Sequence, residues 1–209
     1  MFVLYGVPGW GSALVEAQLV WYGHRFETVD LDNLFTSAPA RARLAKVNPL
    51  AQVPTLQMPD GSVMTESAAI TLLLADGAGA RSLVPMAGDK TRAQFLRWLV
   101  FLVANVYPTF TYADDPNRFV GDKAAQGDYE IRIKAYRESL WRLVEDAAGA
   151  PFFCGEAMTA LDIYIAVMTH WTPKRAWFEA NCPRLVAIAH KVEALPELKP
   201  LWQRHFPKG

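Results

Sequence analysis

Every strand signal in this chain falls before residue 65, and from about residue 89 onward the pattern is helical throughout. That asymmetry predicts a small α/β domain followed by an all-helical one. Phe2 to Tyr5 is an apolar run closed by Gly6, Pro8, Gly9 and Gly11, which reads as a strand and then a loop. Leu14, Ala17 and Trp21 recur at helical spacing, with Ser12 as the expected N-cap and Gly23 as the stop. Phe26 to Leu31 alternates as a second strand, and residues 39–47 allow a short helix entered through Pro39. Val53 to Gln57 and Ser62 to Met64 flank Pro59-Asp60-Gly61, which is hairpin-turn chemistry, and a helix follows from Ser67 to Asp76. The early strands need a right-handed parallel crossover, whereas the late pair is antiparallel.

The expected organisation is an α/β domain over residues 1–78, a linker over 79–88 opening in Gly77-Ala78-Gly79, and a helical domain over 89–209. Phe95, Leu99, Leu102 and Val106 mark a long helix that ends or kinks near Pro108. Ile133, Leu140 and Val144 mark the inner face of another over 123–148; residues 160–171, 184–194 and 197–205 predict three more. The chain has no internal repeat and no low-complexity tract.

Charge narrows the function. The 209 residues carry 21 basic and 21 acidic side chains, a formal net charge of zero, with 4 basic and 7 acidic in residues 1–78 and 17 and 14 in the rest. A neutral chain offers no electrostatic case for nucleic acid or an anionic membrane. No apolar run reaches membrane-spanning length, and the N-terminus lacks the basic start of a signal peptide. Cys154 and Cys182 lie far apart, in neither metal-ligand nor CxxC spacing. The expectation is a cytoplasmic protein with reduced thiols and no metal. His24, His190 and His205 are scattered, and His170 falls on the apolar face set by Ile163, Ala166 and Val167, as a core histidine.

Three local patterns carry chemistry or organise it. In Asn48-Pro49-Leu50-Ala51-Gln52-Val53-Pro54-Thr55-Leu56, a proline stands where a strand should begin. It is either a turn proline or a cis proline that aims the Val53 amide and carbonyl at an extended peptide ligand. Glu66-Ser67 stands at a helix N-terminus, where free amides and the Ser67 hydroxyl favour a carboxylate while Glu66 suits an ammonium. The pair fits either an α-amino-acid terminus of a ligand or a plain cap. Thr159-Ala160-Leu161-Asp162 is a capping box with Met158 and Ile163 at the staple positions, a folding element rather than a chemical one.

Taken in order, Asn48 to Leu56, Glu66-Ser67, Gly155 and the Thr159–Asp162 box resemble the cytosolic glutathione S-transferase superfamily over nearly the whole chain. The resemblance implies a thioredoxin-like N-terminal domain, an all-α C-terminal domain and a homodimer. It implies glutathione as co-substrate, with Gln52, Val53 and Pro54 meeting its cysteinyl backbone and Glu66 and Ser67 its γ-glutamyl end. It implies conjugation of the glutathione thiolate to a small hydrophobic electrophile, with Trp10, Asn105, Tyr107 and Tyr112 lining the pocket. Glutathione-dependent disulfide reduction or a non-catalytic binding role are the alternatives on the same fold. The thiol-activating residue stands near the first strand–helix junction, where the candidates are Ser12 and Tyr5; no cysteine is there. Ala51 occupies a position that the family often gives to glycine or a polar donor.

Overall fold

The computed structural model describes residues 1–207. The chain forms two compact units: Met1–Pro85 together with the residues from His190 onward, and Met86–Ala189. Residues 190–207, expected with the helical domain, therefore belong to the first unit.

The first unit is built on four strands, β1 (Phe2–Gly6), β2 (Phe26–Asp30), β3 (Thr55–Gln57) and β4 (Val63–Met64). Their order is β2-β1-β3-β4. Leu4 lies beside Thr28 of parallel β2 and Leu56 of antiparallel β3, and Leu56 pairs with Met64 across the hairpin. β3 starts at Thr55, two residues later than the pattern predicts, because Pro54 has no N–H for the ladder. Three helices follow the predicted order: α1 (Ser12–Tyr22), α2 (Ala38–Ala45) and α3 (Ser67–Ala75).

Strand alternation sorts the side chains onto two faces. Leu4, Leu56, Val15, Leu19, Ile70 and Leu74 form one core between the sheet, α1 and α3. Tyr5 and Val29 turn the other way, onto Val7, Leu31, Leu34, Ala40 and Leu44. Each buried Leu, Ile or Val of these cores contributes about 1.5–3 kcal/mol relative to an exposed one. Gly23 ends α1 at φ 71°, and the His24 amide closes onto the Leu19 carbonyl at 3.0 Å. A side chain at Gly23 would strain that left-handed closure.

The second unit is helical: α4 (Arg92–Phe101), α5 (Tyr107–Asp114), α6 (Lys123–Ala147), α7 (Ala160–Met168), α8 (Arg175–Asn181) and most of α9 (Pro183–Glu193). The kink expected near Pro108 takes the form of a π turn over Leu102–Val106. Pro108 supplies no N–H and its ring crowds the carbonyl four residues back, so the ladder widens just before it. α7 is buried along its whole length and forms the centre of this unit. α8 was not foreseen; it starts after Lys174, which holds a left-handed φ of 82°. A last helix, α10 (Lys199–His205), returns to the first unit. No described helix is long and apolar enough to cross a membrane.

Candidate functional site

Sheet register brings three segments to one end of the first unit. Tyr5 is opposite Thr55 and Leu56 is opposite Met64, so continuing both ladders sets Pro54 beside Gly6 and Glu66. The β1–α1 loop, Val53-Pro54 and Glu66-Ser67 thus converge at the carboxyl end of β1. Ligands of α/β sheets bind there, because helix N-termini and loops face it.

The Val53–Pro54 bond is cis. Asn48 braces this turn from below: its Nδ2 donates to the Gln52 carbonyl at 3.1 Å and to Thr55 Oγ1 at 3.0 Å. Thr55 Oγ1 donates to the same Gln52 carbonyl at 2.8 Å, while the Gln52 side chain is exposed. Among the described residues no protein group pairs with the Val53 amide or carbonyl. Ala51, just before, holds φ 50°, which explains why glycine suits that position.

Glu66 is exposed and holds φ 62°, ψ 102°, an unfavourable conformation for a residue with a Cβ. Such strain costs about 1–3 kcal/mol and collects at ligand clamps. The first bond of α3 runs from the Ile70 amide to the Glu66 carbonyl at 3.0 Å, so the amides of Ser67, Ala68 and Ala69 have no partner within the helix. Ser67 is buried beside them.

At the β1–α1 junction the structure departs from the expected capping. Gly11, not Ser12, is the N-cap of α1. Ser12 is 2 % exposed and its hydroxyl donates to the Val7 carbonyl at 3.2 Å, which uses its one hydrogen. A Cβ on Gly6 would overlap that hydroxyl, so the two residues are in close approach. Among the described residues no carbonyl accepts the amides of Gly11 and Ser12. Tyr5, Trp10 and Val53 pack around one apolar cluster, half-buried, and the Trp10 ring lies 5.0 Å from Phe35.

The remaining expected site residues lie in the second unit. Asn105, in the π turn, donates to the Phe101 carbonyl at 3.3 Å. Tyr107 meets Trp171 edge-on at 5.5 Å, and exposed Tyr112 meets Phe119 at 5.0 Å. His170 is half-buried beside the Arg175 guanidinium, 3.0 Å away, rather than in the core. Burial pushes the Cys154 thiol up to about 11 and the Cys182 thiol up to about 12. Both stay protonated and unreactive at neutral pH.

A family profile for the glutathione S-transferase N-terminal domain matches residues 15–76. The uncharacterized GST-like protein YncG of Escherichia coli K12 is 39 % identical over 206 residues, covering 98 % of each chain. Among solved structures, a glutathione transferase homolog from Sulfitobacter with bound glutathione superposes with a TM-score of 0.86 at 21 % identity, covering 96 % of each chain. A sphingomonad glutathione S-transferase complexed with glutathione gives a TM-score of 0.70 at 27 % identity, covering 96 % of this chain and 97 % of that one.

Proposed function

This chain belongs to the glutathione S-transferase family, and on that premise we propose that it binds glutathione, holds it as the thiolate and conjugates it to a small hydrophobic electrophile. The observation that carries the reading is the convergence of Val53-Pro54, strained Glu66 with Ser67, and the opening of α1 at one end of the sheet. In this reading the Val53 amide and carbonyl pair with the cysteinyl backbone of glutathione as an added strand. The γ-glutamyl carboxylate meets the free amides of α3 and the Ser67 hydroxyl, and its ammonium meets Glu66. Gln52 borders the same stretch.

The sulfur then lies before α1. A helix N-terminus lowers a thiol pKa, so the amides of Gly11 and Ser12 supply the stabilisation and Ser12 acts through its backbone. The Tyr5 hydroxyl is the competing donor. The thiolate attacks the electrophile, forms the carbon–sulfur bond and expels the leaving group, while the thiol proton goes to solvent. Trp10, half-buried beside Tyr5 and Val53, is assigned to the electrophile. The family premise, two reduced cysteines and the cytosolic glutathione pool fit work in the cytoplasm.

Conjugation of glutathione to a generic aryl halide tests the reading directly, run beside a disulfide-reduction assay. Ser12→Ala should leave the pKa of the bound thiol in place while costing about 1 kcal/mol of stability through the lost Val7 bond. Tyr5→Phe should leave it in place as well. A shift in Tyr5→Phe alone would hand the role to the tyrosine, and activity only with disulfides would replace conjugation by reduction.

We also assign a twofold dimer to residues 67–76, which hold α3, and to residues 90–106, which hold α4 and the π turn. α3 keeps Leu72 and Leu73 half-buried and Ala69 exposed, an apolar face for a helix to leave toward water. Sedimentation at micromolar concentration should give twice the chain mass; a species of monomer mass alone would refute the assignment.

A further inference from the structure

The last helix of the first unit reaches back to the loop that opens α1. His205, at the end of α10, has a side chain 1 % exposed and two partners. The Gly9 amide donates to its Nδ1 at 2.9 Å. Its Nε2 lies 2.9 Å from Glu16 Oε2. An amide N–H can donate only to an unprotonated ring nitrogen, so the ring hydrogen sits on Nε2 and points at the Glu16 carboxylate. Burial would push the Glu16 carboxyl up, but its bonds to His205 and Arg204 outweigh that and hold it below the ordinary carboxylate value. Arg204 pairs with Glu16 and with Asp30 at the end of β2. Gly9, His205, Glu16, Arg204 and Asp30 therefore form one connected path from the loop into α1 and the sheet.

Gly9 is shaped for this contact. It holds φ 81°, and a Cβ there would come within 3.2 Å of the His205 carbonyl. Its amide is two residues ahead of Gly11. The neighbouring Trp10 amide is held locally, by the Val7 carbonyl at 3.0 Å. Gly9 is instead held by a side chain 196 residues further along the chain. Stabilising a thiolate through amides depends on aim: a misplacement of ~1 Å can cost about a hundredfold in rate.

We propose that His205 is a positioning residue for thiol activation, its Nδ1 fixing Gly9 and thereby the approach of the Gly11 and Ser12 amides to the glutathione sulfur. The proposal rests on the glutathione reading above. Two variants separate positioning from mere packing, because Asn places an acceptor where Nδ1 stands and Gln places a donor where Nε2 stands. His205→Asn keeps the hold on Gly9; His205→Gln keeps the link to Glu16 and Arg204 but loses the hold. Glutathione affinity is read by calorimetry, thiolate by its ultraviolet absorbance across pH, and the Gly9 amide by hydrogen exchange.

The expected result is near-wild-type glutathione affinity in both variants, with a thiolate fraction at neutral pH about fivefold lower in His205→Gln, the size of one lost hydrogen bond. His205→Asn should restore most of that fraction and the protection of the Gly9 amide. If His205→Gln keeps the wild-type thiolate titration, or exchanges Gly9 as slowly as the wild type, the positioning role is overturned while the glutathione reading stands. If the wild type itself fails to bind glutathione, the reading falls and takes this proposal with it.

Discussion

On the proposed reading, replacing Glu66 and Ser67 together by alanine should weaken glutathione binding by roughly 10- to 150-fold, the equivalent of about 1.5–3 kcal/mol for a lost charge-assisted bond. Two contacts go at once. The Glu66 carboxylate would no longer meet the ligand ammonium, and the Ser67 hydroxyl would no longer join the α3 amides on the carboxylate. The amides themselves remain, so binding is reduced rather than abolished. Calorimetry on the double variant against the wild type reads the change, and equal affinities would remove this pair from the site. Glu66 permits a sharper control, because it holds φ 62°. Glycine has no Cβ to strain there, so Glu66→Gly should leave thermal stability equal or higher while lowering affinity. Ordinary caps do not behave in that way; losing one costs stability.

The convergence of these segments at one end of the sheet was legible in the sequence because its signals are local. A proline at a strand start, a hairpin turn and a serine at a helix entry are each visible within a few residues, and their order fixed the sheet-end assembly. What stayed hidden depends on tertiary contact. Ser12 precedes an amphipathic run, and nothing nearby tells that the closely approaching Gly6 buries its hydroxyl against the Val7 carbonyl. Gly11 takes the cap instead. His205 read as a scattered histidine, since its partners Gly9 and Glu16 are at the other end of the chain. α8 is only seven residues long and enters from a left-handed Lys174, so it lacked both length and a cap signal. His170 matched the helical period of α7, but the helix ends at Met168 and the ring falls beyond it.

The largest expected effect on stability comes from Asp162. Its carboxylate lies 0 % exposed at the start of α7 and accepts three hydrogen bonds. The Phe153 amide donates to Oδ1 at 2.7 Å, and the Thr159 amide and hydroxyl donate to Oδ2 at 2.7 and 3.0 Å. One side chain therefore fixes both the entry to the central helix and the loop before it. Asp162→Ala strands two buried amides, and at about 1–3 kcal/mol for each the variant should lose roughly 2–6 kcal/mol. Thermal melting shows this as a midpoint lower by roughly 10 °C, and a midpoint equal to the wild type would reduce the box to an ornament of the helix end. The pH dependence has a definite sign. Burial pushes the Asp162 carboxyl from 3.8 up to about 6, against the three donors that favour the anion. Between those values the unfolded chain has released its proton while the folded one retains it. The contribution of Asp162 is thus most favourable below about pH 4, falls as pH rises toward 6 and is constant above. The whole change is on the order of 3 kcal/mol. Asp162→Asn cannot titrate, so the stability difference between wild type and this variant should decrease across that window. A difference that stays flat across that window and increases with pH only below about pH 4 would mean that the three donors outweigh burial and hold the carboxyl below its ordinary value.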